Sequence, residues 1–463
     1  MNSPHDLSRR KFIGSCCAAV GATGMLSALA QLRLIGAVAA DSSPADYKAL
    51  VCLFLYGGND SNNLLVPTDS SSYAAYAAAR SVLALPQAGL LPIAPKTYSD
   101  GRQWGLHPSM VEMQQLFNQG RFALMANTGT LVQPVTLAQY KSGAGLPPQL
   151  FSHADQQVQW QSSVPDQPFS TGWGGRLADM VNVLNGNSAI SMSISVAGQN
   201  SFQVGKVVAQ YAVSPTGAVV LTGSGGGALA NVRYAAQQDL FNLQEQNLFE
   251  AAFGGTSSAA VSDSRLLTSI LAGTPALNTT FPSTTVGTQM QMIAKLIAAA
   301  PALGLKRQVF FASLGGWDLH SDQLTPHAAL FAQISQGLSA FYNATVELGV
   351  AAQVTTFTSS DFSRTFNTNG SSAATAGSDH GWGSHHMVLG GAVNGGDIYG
   401  TVSSLKLGGA DDTGRGRWIP STSVDQYAAT LATWFGVSAT NLPIVLPNIG
   451  RFATASLGFM NGS

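Results

Sequence analysis

Apolar residues along this chain form short continuous runs that alternate with stretches of helical pattern. Segments 49–56, 308–314 and 352–357 are apolar runs of strand length, which is typical of central strands covered on both faces. Segments 108–117 and 327–348 have the pattern of helices. This rhythm predicts an α/β fold with a mostly parallel central sheet and helices on both faces.

The rhythm changes in the middle of the chain. Between about residue 191 and residue 282, short strand-like pieces alternate with Gly-rich and Ser/Thr-rich connectors. We interpret this interval as a cap inserted into a single α/β domain that spans residues 41–463. Near the carboxyl end, Ser423-Val-Asp-Gln426 matches a capping box, which predicts that a helix begins there.

The amino terminus has the composition of an export signal. Segment Ser8-Arg-Arg-Lys-Phe-Ile13 contains a twin-arginine pair, and an Ala/Gly-rich stretch follows it to Ala37-Val-Ala-Ala40. We expect residues 1–40 to be a signal peptide, the twin-arginine translocase to be a partner during export, and the protein to be periplasmic or secreted. Arg33 interrupts the apolar stretch, so we expect no stable membrane span.

Composition narrows the choice of partners. Charged residues make up 10% of the chain and the formal net charge is -1, which argues against a nucleic-acid surface. Of the three cysteines, Cys16 and Cys17 lie in the predicted signal, so Cys52 has no partner for an internal disulfide. Cys52 stands in an apolar run, and we expect it to be a small buried hydrophobe.

Three aspartates follow turns at the ends of predicted strands. They are Asp60 after Gly57-Gly58, Asp318 after Gly315-Gly316, and Asp361 after Ser359-Ser360. Because open α/β sheets bind ligands outside the carboxyl ends of their strands, we expect these carboxylates to converge. Such a cluster would suit a divalent metal ion, with zinc, manganese, iron and calcium as candidates.

The turns after the first two strands add further candidates. Asp60 is a candidate metal ligand and Asn62 a candidate substrate contact, although Asn and Asp in turns also cap backbone groups. Asp318 and His320 are two positions apart, so they would project to one side of an extended segment as metal ligands. A hydrogen bond between these two side chains that fixes the loop is the alternative.

The third turn contains an aspartate and an arginine, and a histidine-dense segment follows it. Asp361 is a candidate metal ligand and Arg364 a candidate catalytic residue whose bidentate fork holds an oxyanion; a structural salt bridge is the alternative. The strongest local metal signal is a set of residues that stand among glycines: Asp379, His380, His385 and His386. A flexible, exposed loop is the alternative interpretation of that set.

A catalytic nucleophile is harder to assign. Ser152 precedes a predicted helix at 156–161, where free backbone amides would stabilise an oxyanion, but Ser is equally a common helix N-cap. The sequence contains no Gly-x-Ser-x-Gly elbow, no phosphate loop that ends in Gly-Lys-Ser/Thr and no Cys-x-x-Cys pair. Ser152 is therefore the best candidate for a nucleophile.

Several short motifs together resemble those of one bacterial family. Besides the twin-arginine start, they are Leu55–Asp60, Leu106–Pro108, Ser152-His153, Gly172-Trp173, Gly175-Arg176, Gly315–Asp318, Ser360–Arg364, Asp379–Gly381 and Trp434–Gly436. Over nearly its whole length after the signal, the chain resembles the exported proteins known as the domain of unknown function 1501 family.

That family is similar to the alkaline phosphatase and sulfatase superfamily. The resemblance implies an alkaline-phosphatase-like sheet with metal ligands at strand ends, and hydrolysis of phosphate or sulfate esters. It implies these metal ligands: Asp60; Asp318 with His320; either Asp361 or the pair Asp379-His380; and His385 or His386. The chain departs from the superfamily in the close Asp-x-His spacing and in Phe362, which follows Asp361 where a histidine is expected.

Two functions are consistent with these features. The first is an exported metal-dependent hydrolase that acts on a small-molecule or polymer ester, with Arg364 or Arg176 stabilising the non-bridging oxygens. The second is a non-catalytic or degenerate family member that acts as an exported binding or surface-assembly protein. The unclear nucleophile and the sparse charge favour the second function, whereas convergence of the site residues in one pocket would favour the first.

Overall fold

The structure is a computed structural model that describes residues 47–218, 227–241, 243 and 247–461. The predicted signal peptide, residues 1–40, lies outside these ranges, as does part of the predicted cap. The described strands form two sheets. In chain order they are β1 (Lys48–Leu55), β2 (Leu65–Pro67), β3 (Leu91–Ile93), β4 (Trp104–Leu106), β5 (Phe122–Gly129), β6 (Ser193–Ser195), β7 (Tyr211–Ala212), β8 (Arg307–Leu314), β9 (Val354–Ser360), β10 (Ser384–Gly390), β11 (Ile398–Tyr399) and β12 (Thr422–Ser423).

The larger sheet has the strand order β11-β5-β10-β9-β1-β8-β6-β7, and β12 also pairs with β5. Strand β10 runs antiparallel to β5 and β9. The other pairings in this sheet are parallel. All residues of β5 and all but the first of β1, including Cys52, are buried, as expected for strands covered on both faces. The prediction of an α/β fold with a mostly parallel sheet is confirmed.

Helices connect the strands and cover the sheet. In chain order they are α1 (Ser70–Arg80), α2 (Val111–Asn118), α3 (Leu137–Ser142), α4 (His153–Ser162), α5 (Trp173–Val181), α6 (Ala228–Phe241), α7 (Leu248–Gly273), α8 (Thr285–Ala298), α9 (Ala300–Leu303), α10 (Leu324–Glu347), α11 (Val424–Phe435) and α12 (Leu442–Val445). Helices α5 and α8 pack against β8, α4 packs against β9, and α11 packs against β1 and β5. Within the described ranges, no helix has both the length and the apolar character needed to cross a bilayer.

The interval 191–282 contributes to two parts of the structure. Its strands β6 and β7 extend the central sheet, because β6 pairs with β8 and β7 pairs with β6. Its helices α6 and α7 pack against each other. The interval thus supplies two strands of the central sheet and a pair of packed helices. Its description as an inserted cap stays a prediction.

Candidate metal centre

Two strand-end loops meet at the carboxyl edge of the central sheet, next to a third. In the parallel ladder, Leu55 at the end of β1 lies opposite Leu314 of β8 and Ser360 of β9. Gly57 lets the first two loops touch. Its φ is +115°, and a Cβ added to it would lie 2.5 Å from the backbone nitrogen of Asp318. The parallel register thus brings the three turns predicted to carry aspartates to one edge.

Two histidines reach this edge from other elements. Because β10 runs antiparallel to β9, the loop before β10, which contains His380, lies at the same edge. A bridge between Arg364 and His380 joins this loop to the one that follows β9. His153 is the first residue of α4, and Ser152 is the N-cap of that helix. Residues far apart in the sequence therefore surround one point.

The Oδ1 atom of Asp318 contacts three imidazole rings. Its distance to Nε2 is 3.0 Å for His320, 3.4 Å for His153 and 3.5 Å for His380. The Nε2 atom of His380 lies 3.1 Å from that of His153 and 3.0 Å from that of His320. One ligand atom each from His153, Asp318 and His380 lies within 4.8 Å of the others. Together, these four residues form the histidine cluster.

Hydrogen bonds at Nδ1 determine which ring nitrogen holds the proton. His380 Nδ1 is 2.7 Å from the carbonyl oxygen of Phe151, an atom that only accepts. His153 Nδ1 is 2.6 Å from Asp361 Oδ2, which also accepts a hydrogen bond from the Gly57 N–H. When neutral, both rings therefore carry their hydrogen on Nδ1. Their Nε2 lone pairs then face each other across 3.1 Å.

His320 has the same arrangement. Its Nδ1 is 3.2 Å from Asp379 Oδ1, and its Nε2 accepts a hydrogen bond from Arg364 Nη1 at 3.3 Å. The Nε2 atoms of all three histidines thus lie around the Asp318 carboxylate. Among the described residues, the lone pairs on His153 and His380 are free, whereas the His320 lone pair is held by Arg364. Lone pairs this close repel each other unless a cation lies between them, and an imidazole held at its other nitrogen by an acceptor is the usual form of a metal ligand. The donor set fits a divalent metal ion.

The guanidinium group of Arg364 is fully engaged beside the cluster. Its Nε and Nη2 donate to the carbonyls of the Gly57-Gly58 turn, and its Nη1 donates to the Ser378 carbonyl at 3.1 Å. Its remaining two N–H groups meet His320 Nε2 and Asp318 Oδ1. An arginine has five N–H donors, so all of them have acceptors. The predicted oxyanion-binding arginine therefore has no free donor in this arrangement.

Burial and charge shift the pKa values of the cluster. The hydrogen bond to Asp361 raises the pKa of His153. Burial lowers the pKa of His380, and the charge of Arg364 lowers it further. Burial alone would raise the pKa of Asp318, but its interactions with Arg364 and His153 outweigh that effect and lower the pKa. Near neutral pH, Asp318 is therefore ionised and His380 is neutral, as metal ligands need to be.

The structure brings six predicted site residues together: Asp318, His320, Asp361, Arg364, Asp379 and His380. The sequence leaves open whether Asp361 or Asp379-His380 supplies the later ligand pair. In the structure, His380 faces the centre of the cluster, whereas both aspartates accept Nδ1 hydrogens of neighbouring rings. Their roles in metal binding and catalysis stay predictions.

Asp60 and Asn62 lie in a different, closed network. The Asp60 carboxylate is 2% exposed, forms an ion pair with the buried Arg80 and also accepts a hydrogen bond from Gln323. Asn62 donates to Asp60 at 3.0 Å and to the backbone carbonyl of Arg364 at 2.9 Å. The structure does not bring Asp60 into the histidine cluster, because its buried oxygens face Arg80, Gln323 and Asn62 instead.

His386 and Arg176 also lie outside the cluster. The His386 ring is 4.6 Å from the Trp160 ring and 6.1 Å from the Tyr427 ring, and burial lowers its pKa to about 3. Among the described residues, neither His386 nitrogen has a hydrogen-bond partner. Arg176 donates to backbone carbonyls, including that of Val445 at 2.7 Å. The His386 contacts are those of a core side chain. Arg176 is an arginine whose hydrogen bonds connect loops.

The neighbours Ser152 and His153 contact different groups. The Ser152 hydroxyl donates to the Asp155 carboxylate at 2.5 Å, and a role for Ser152 as nucleophile stays a prediction. The sequence pattern alone assigns no ligand role to His153, although His153 belongs to one of the family-like motifs. The available signal was a histidine at the start of a helix. A single sequence does not show that this helix begins beside the strand ends.

Residues 47–414 match a family described as Protein of unknown function (DUF1501). No curated protein matches the sequence. Similar solved structures include Ps i-CgsB in complex with k-i-k-neocarrahexaose, with 8% identity, a TM-score of 0.34, and coverage of 86% of this chain and 74% of that chain. The PsFucS1 sulfatase from Pseudoalteromonas sp. has 10% identity, a TM-score of 0.34, and coverage of 86% and 69%. Structural similarity at this level supports no conclusion about function.

Proposed function

We propose that this chain, which belongs to the family described as Protein of unknown function (DUF1501), is a metal-dependent hydrolase of phosphate or sulfate esters. The observation that carries the proposal is the convergence of three imidazole Nε2 atoms, two of them with free lone pairs, and one carboxylate at the carboxyl edge of a mostly parallel sheet. The proposed substrates are small-molecule or polymer esters. The choice of phosphate or sulfate rests on the family resemblance of the sequence.

The nitrogen-rich donor set favours zinc, manganese or iron over calcium. Calcium prefers six to eight oxygen ligands, whereas imidazole suits the other metals. His153, Asp318 and His380 would hold the ion. His320 would add a fourth donor where its Nε2 lone pair is released from the hydrogen bond with Arg364.

The chain's own residues would set the geometry of the reaction. Asp361 keeps the His153 hydrogen on Nδ1, Asp379 does the same for His320, and Asp318 supplies the negative charge between the rings. A divalent ion in such a site polarises the ester group and lowers the pKa of a water molecule. In the overall hydrolysis, a water oxygen bonds to phosphorus or sulfur, the bond to the alcohol oxygen breaks, and that oxygen takes up a proton that the water has released.

Export is a separate part of the proposal. The Arg9-Arg10 pair and the stretch that follows it support transport of the folded protein by the twin-arginine translocase to the periplasm or the medium. In cell fractionation, changing both arginines to lysine should leave the protein in the cytoplasm. Unchanged recovery of this variant from the periplasm would contradict export by this route.

Metal content and ester hydrolysis test the proposed function together. The purified protein should retain about one equivalent of metal at the cluster and should hydrolyse aryl phosphates or aryl sulfates when zinc, manganese or iron is supplied. Asp318→Asn should abolish both properties. The matched control is Asp322→Asn, the same chemical change at an exposed residue of the same loop, and it should change neither. A protein without bound metal and without activity on either ester class would refute the proposal.

One observation favours a second candidate, a metal-binding protein without hydrolytic activity. Among the described residues, no serine, threonine or cysteine side chain forms a hydrogen bond to the four residues of the histidine cluster. Arg364 also has no free donor for an oxyanion. Stoichiometric metal that depends on Asp318, combined with no turnover of either ester, would support this candidate.

A further inference from the structure

A loop that presents two arginines is built beside the histidine cluster. Asp412, which is 5% exposed, accepts hydrogen bonds from the backbone N–H groups of Gly414 at 2.7 Å and Gly416 at 2.8 Å. Gly416 packs so closely that an added Cβ would lie 2.2 Å from the Phe366 Cβ. These contacts fix the backbone of residues 412–418, the arginine loop.

Both arginines of the arginine loop contact residues that position the cluster. Arg415 forms an ion pair with Asp379, the carboxylate that accepts the Nδ1 hydrogen of one cluster histidine. Arg417 donates from Nε to the His380 carbonyl oxygen at 2.8 Å. The guanidinium carbon of Arg417 also lies 4.9 Å from the centre of the Phe151 ring, and the carbonyl of Phe151 accepts from His380. Arg417 is thus held on two sides next to a cluster histidine.

Arg417 differs from Arg364 in what its guanidinium leaves free. Arg364 uses all five N–H groups in hydrogen bonds. Arg417 uses Nε, and among the described residues its Nη1 and Nη2 atoms meet neither an acceptor nor a carboxylate. Its side chain is partly exposed. The two Nη groups of an anchored arginine match the spacing of two oxygens on a phosphate or sulfate group.

The charge around the cluster also favours an anion once a cation is bound. The charged side chains that ion pairs or hydrogen bonds join to the cluster, together with those of the cluster itself, are three carboxylates and three guanidinium groups: Asp318, Asp361, Asp379, Arg364, Arg415 and Arg417. These charges balance while the histidines are neutral. A divalent ion therefore adds uncompensated positive charge, which attracts anions to this part of the surface.

We propose that Arg417 binds the anionic group of the substrate through its Nη1 and Nη2 atoms, and that Arg364 anchors the cluster instead. The identity of the anion, a phosphate or sulfate ester, rests on the proposed function. Arg417 is then a specificity-determining residue, since it contributes to binding of esters that carry an oxyanion. Its removal should weaken substrate binding more than it slows the chemical step.

Anion binding by the metal-loaded full chain tests this assignment without measuring turnover. Calorimetric titration with inorganic phosphate and with inorganic sulfate should show a Kd that rises about 10- to 100-fold in Arg417→Gln, as expected for the loss of a charged two-point hydrogen bond. Arg417→Lys keeps the positive charge but lacks the two Nη groups. Its anion Kd should lie between those of Arg417→Gln and the unchanged protein. The affinity for the metal should be the same in all of them.

The matched control is Arg121→Gln, which removes an exposed arginine just before β5, at the opposite end of the parallel strands. It should leave the anion Kd unchanged, which separates a local contact from an effect of net charge. With an ester substrate, Arg417→Gln should raise KM by a similar factor and change kcat little.

Three results would overturn the assignment. They are equal anion Kd values for Arg417→Gln and the unchanged protein, equal losses in Arg121→Gln and Arg417→Gln, and no binding of either anion by the unchanged protein. Failure of the proposed function gives a different result: anion binding would depend on Arg417 while no ester is hydrolysed. If esters are hydrolysed and KM does not depend on Arg417, the proposed function stands and the assignment of Arg417 fails.

Discussion

Two turns of nearly the same sequence place their aspartates in opposite environments. Gly57-Gly-Asn-Asp60 follows β1, and Gly315-Gly-Trp-Asp318 follows the adjacent parallel strand β8. The Asp60 side chain is 2% exposed and pairs with Arg80. The Asp318 side chain is 49% exposed and faces three imidazole nitrogens in addition to its ion pair with Arg364. The turn sequence places a carboxylate at the edge of the sheet. The residues around that carboxylate determine whether it can bind a metal.

The partners of the two aspartates come from different elements. Arg80 is the last residue of α1, and Gln323 precedes α10, so two helix ends close the network around Asp60. The histidines around Asp318 come from loops and from the start of α4. A carboxylate in a buried ion pair has a structural role, whereas a half-exposed carboxylate beside unprotonated imidazole nitrogens can bind a metal ion.

The largest expected effect concerns the closed network. Asp60→Asn removes the carboxylate but leaves Arg80 buried without a counter-charge, so the free energy of unfolding should fall by about 3–5 kcal/mol. Thermal unfolding of the metal-free protein measures this loss. Asp318→Asn, the same change at the exposed turn, should cost less, about 1 kcal/mol, because the Asp318 carboxylate is half exposed and the buried Arg364 keeps four other hydrogen-bond acceptors. Equal stabilities for the two variants would contradict the distinction between the two turns.

Metal affinity should separate the same two aspartates in the opposite direction. Asp318→Asn removes a ligand, so the affinity for zinc or manganese should fall by at least about 100-fold, the upper end of the loss typical of outer partners. Folded Asp60→Asn, assayed below its unfolding temperature, should bind metal as the unchanged protein does. Equilibrium dialysis with metal analysis gives both values, and a large loss in the Asp60 variant would place the ion elsewhere.

Asp361→Asn tests whether Asp361 orients the His153 ring for metal binding. His153, Gly57 and Gln157 all donate to Asp361 Oδ2. A neutral amide oxygen accepts more weakly than a carboxylate, so it holds the His153 hydrogen on Nδ1 less firmly. Metal affinity should fall by about 10- to 100-fold. Gln157→Ala removes one donor to the same carboxylate and should have a smaller effect. If Asp361→Asn binds metal normally, Asp361 does not orient the ring.

The smallest effect concerns the buried histidine outside the cluster. His386 has a pKa of about 3 in the folded state because of burial, so the unfolded chain binds its proton first as the pH falls below about 6.5. This contribution to stability is complete above about pH 6.5 and is lost toward acid pH. His386→Phe should therefore be more stable than the unchanged protein, by about 2 kcal/mol at pH 5 and by less at pH 8.

Denaturant unfolding at the two pH values checks this result, and metal affinity is the second measurement. His386→Phe should keep the metal affinity of the unchanged protein, because the ring lies between Trp160 and Tyr427 and outside the cluster. If His386→Phe lost metal binding, His386 would be a metal ligand after all.

Local patterns predicted the sheet well. The apolar runs 49–56 and 308–314 correspond to β1 and β8 within one residue at each end. The capping box at Ser423 forms as expected and begins α11. These features depend on neighbouring residues, since burial on both faces and capping both leave a short-range pattern. The position of the aspartates at the strand ends also follows a short-range pattern, since each comes directly after an apolar run and a turn.

The partners of those aspartates could not be read from the sequence, because they come from distant segments. His153 and Asp361 are 208 residues apart, and Arg417 and His380 are 37 apart. Arg80 lies only 20 residues from Asp60, but the helix-end packing that joins them leaves no local pattern. Strand-end position therefore identified the edge of the sheet that carries the site, while long-range packing determined which residues form it.

The most direct test of the central claim is anomalous X-ray scattering from crystals of the protein loaded with zinc or manganese. We predict one strong peak at about 2.0–2.3 Å from Nε2 of His153, Nε2 of His380 and an oxygen of Asp318. The peak should be absent from crystals of Asp318→Asn prepared in the same way. A peak beside Asp60 or His386, or no peak at the histidine cluster, would contradict the proposal that these converging lone pairs form the metal site.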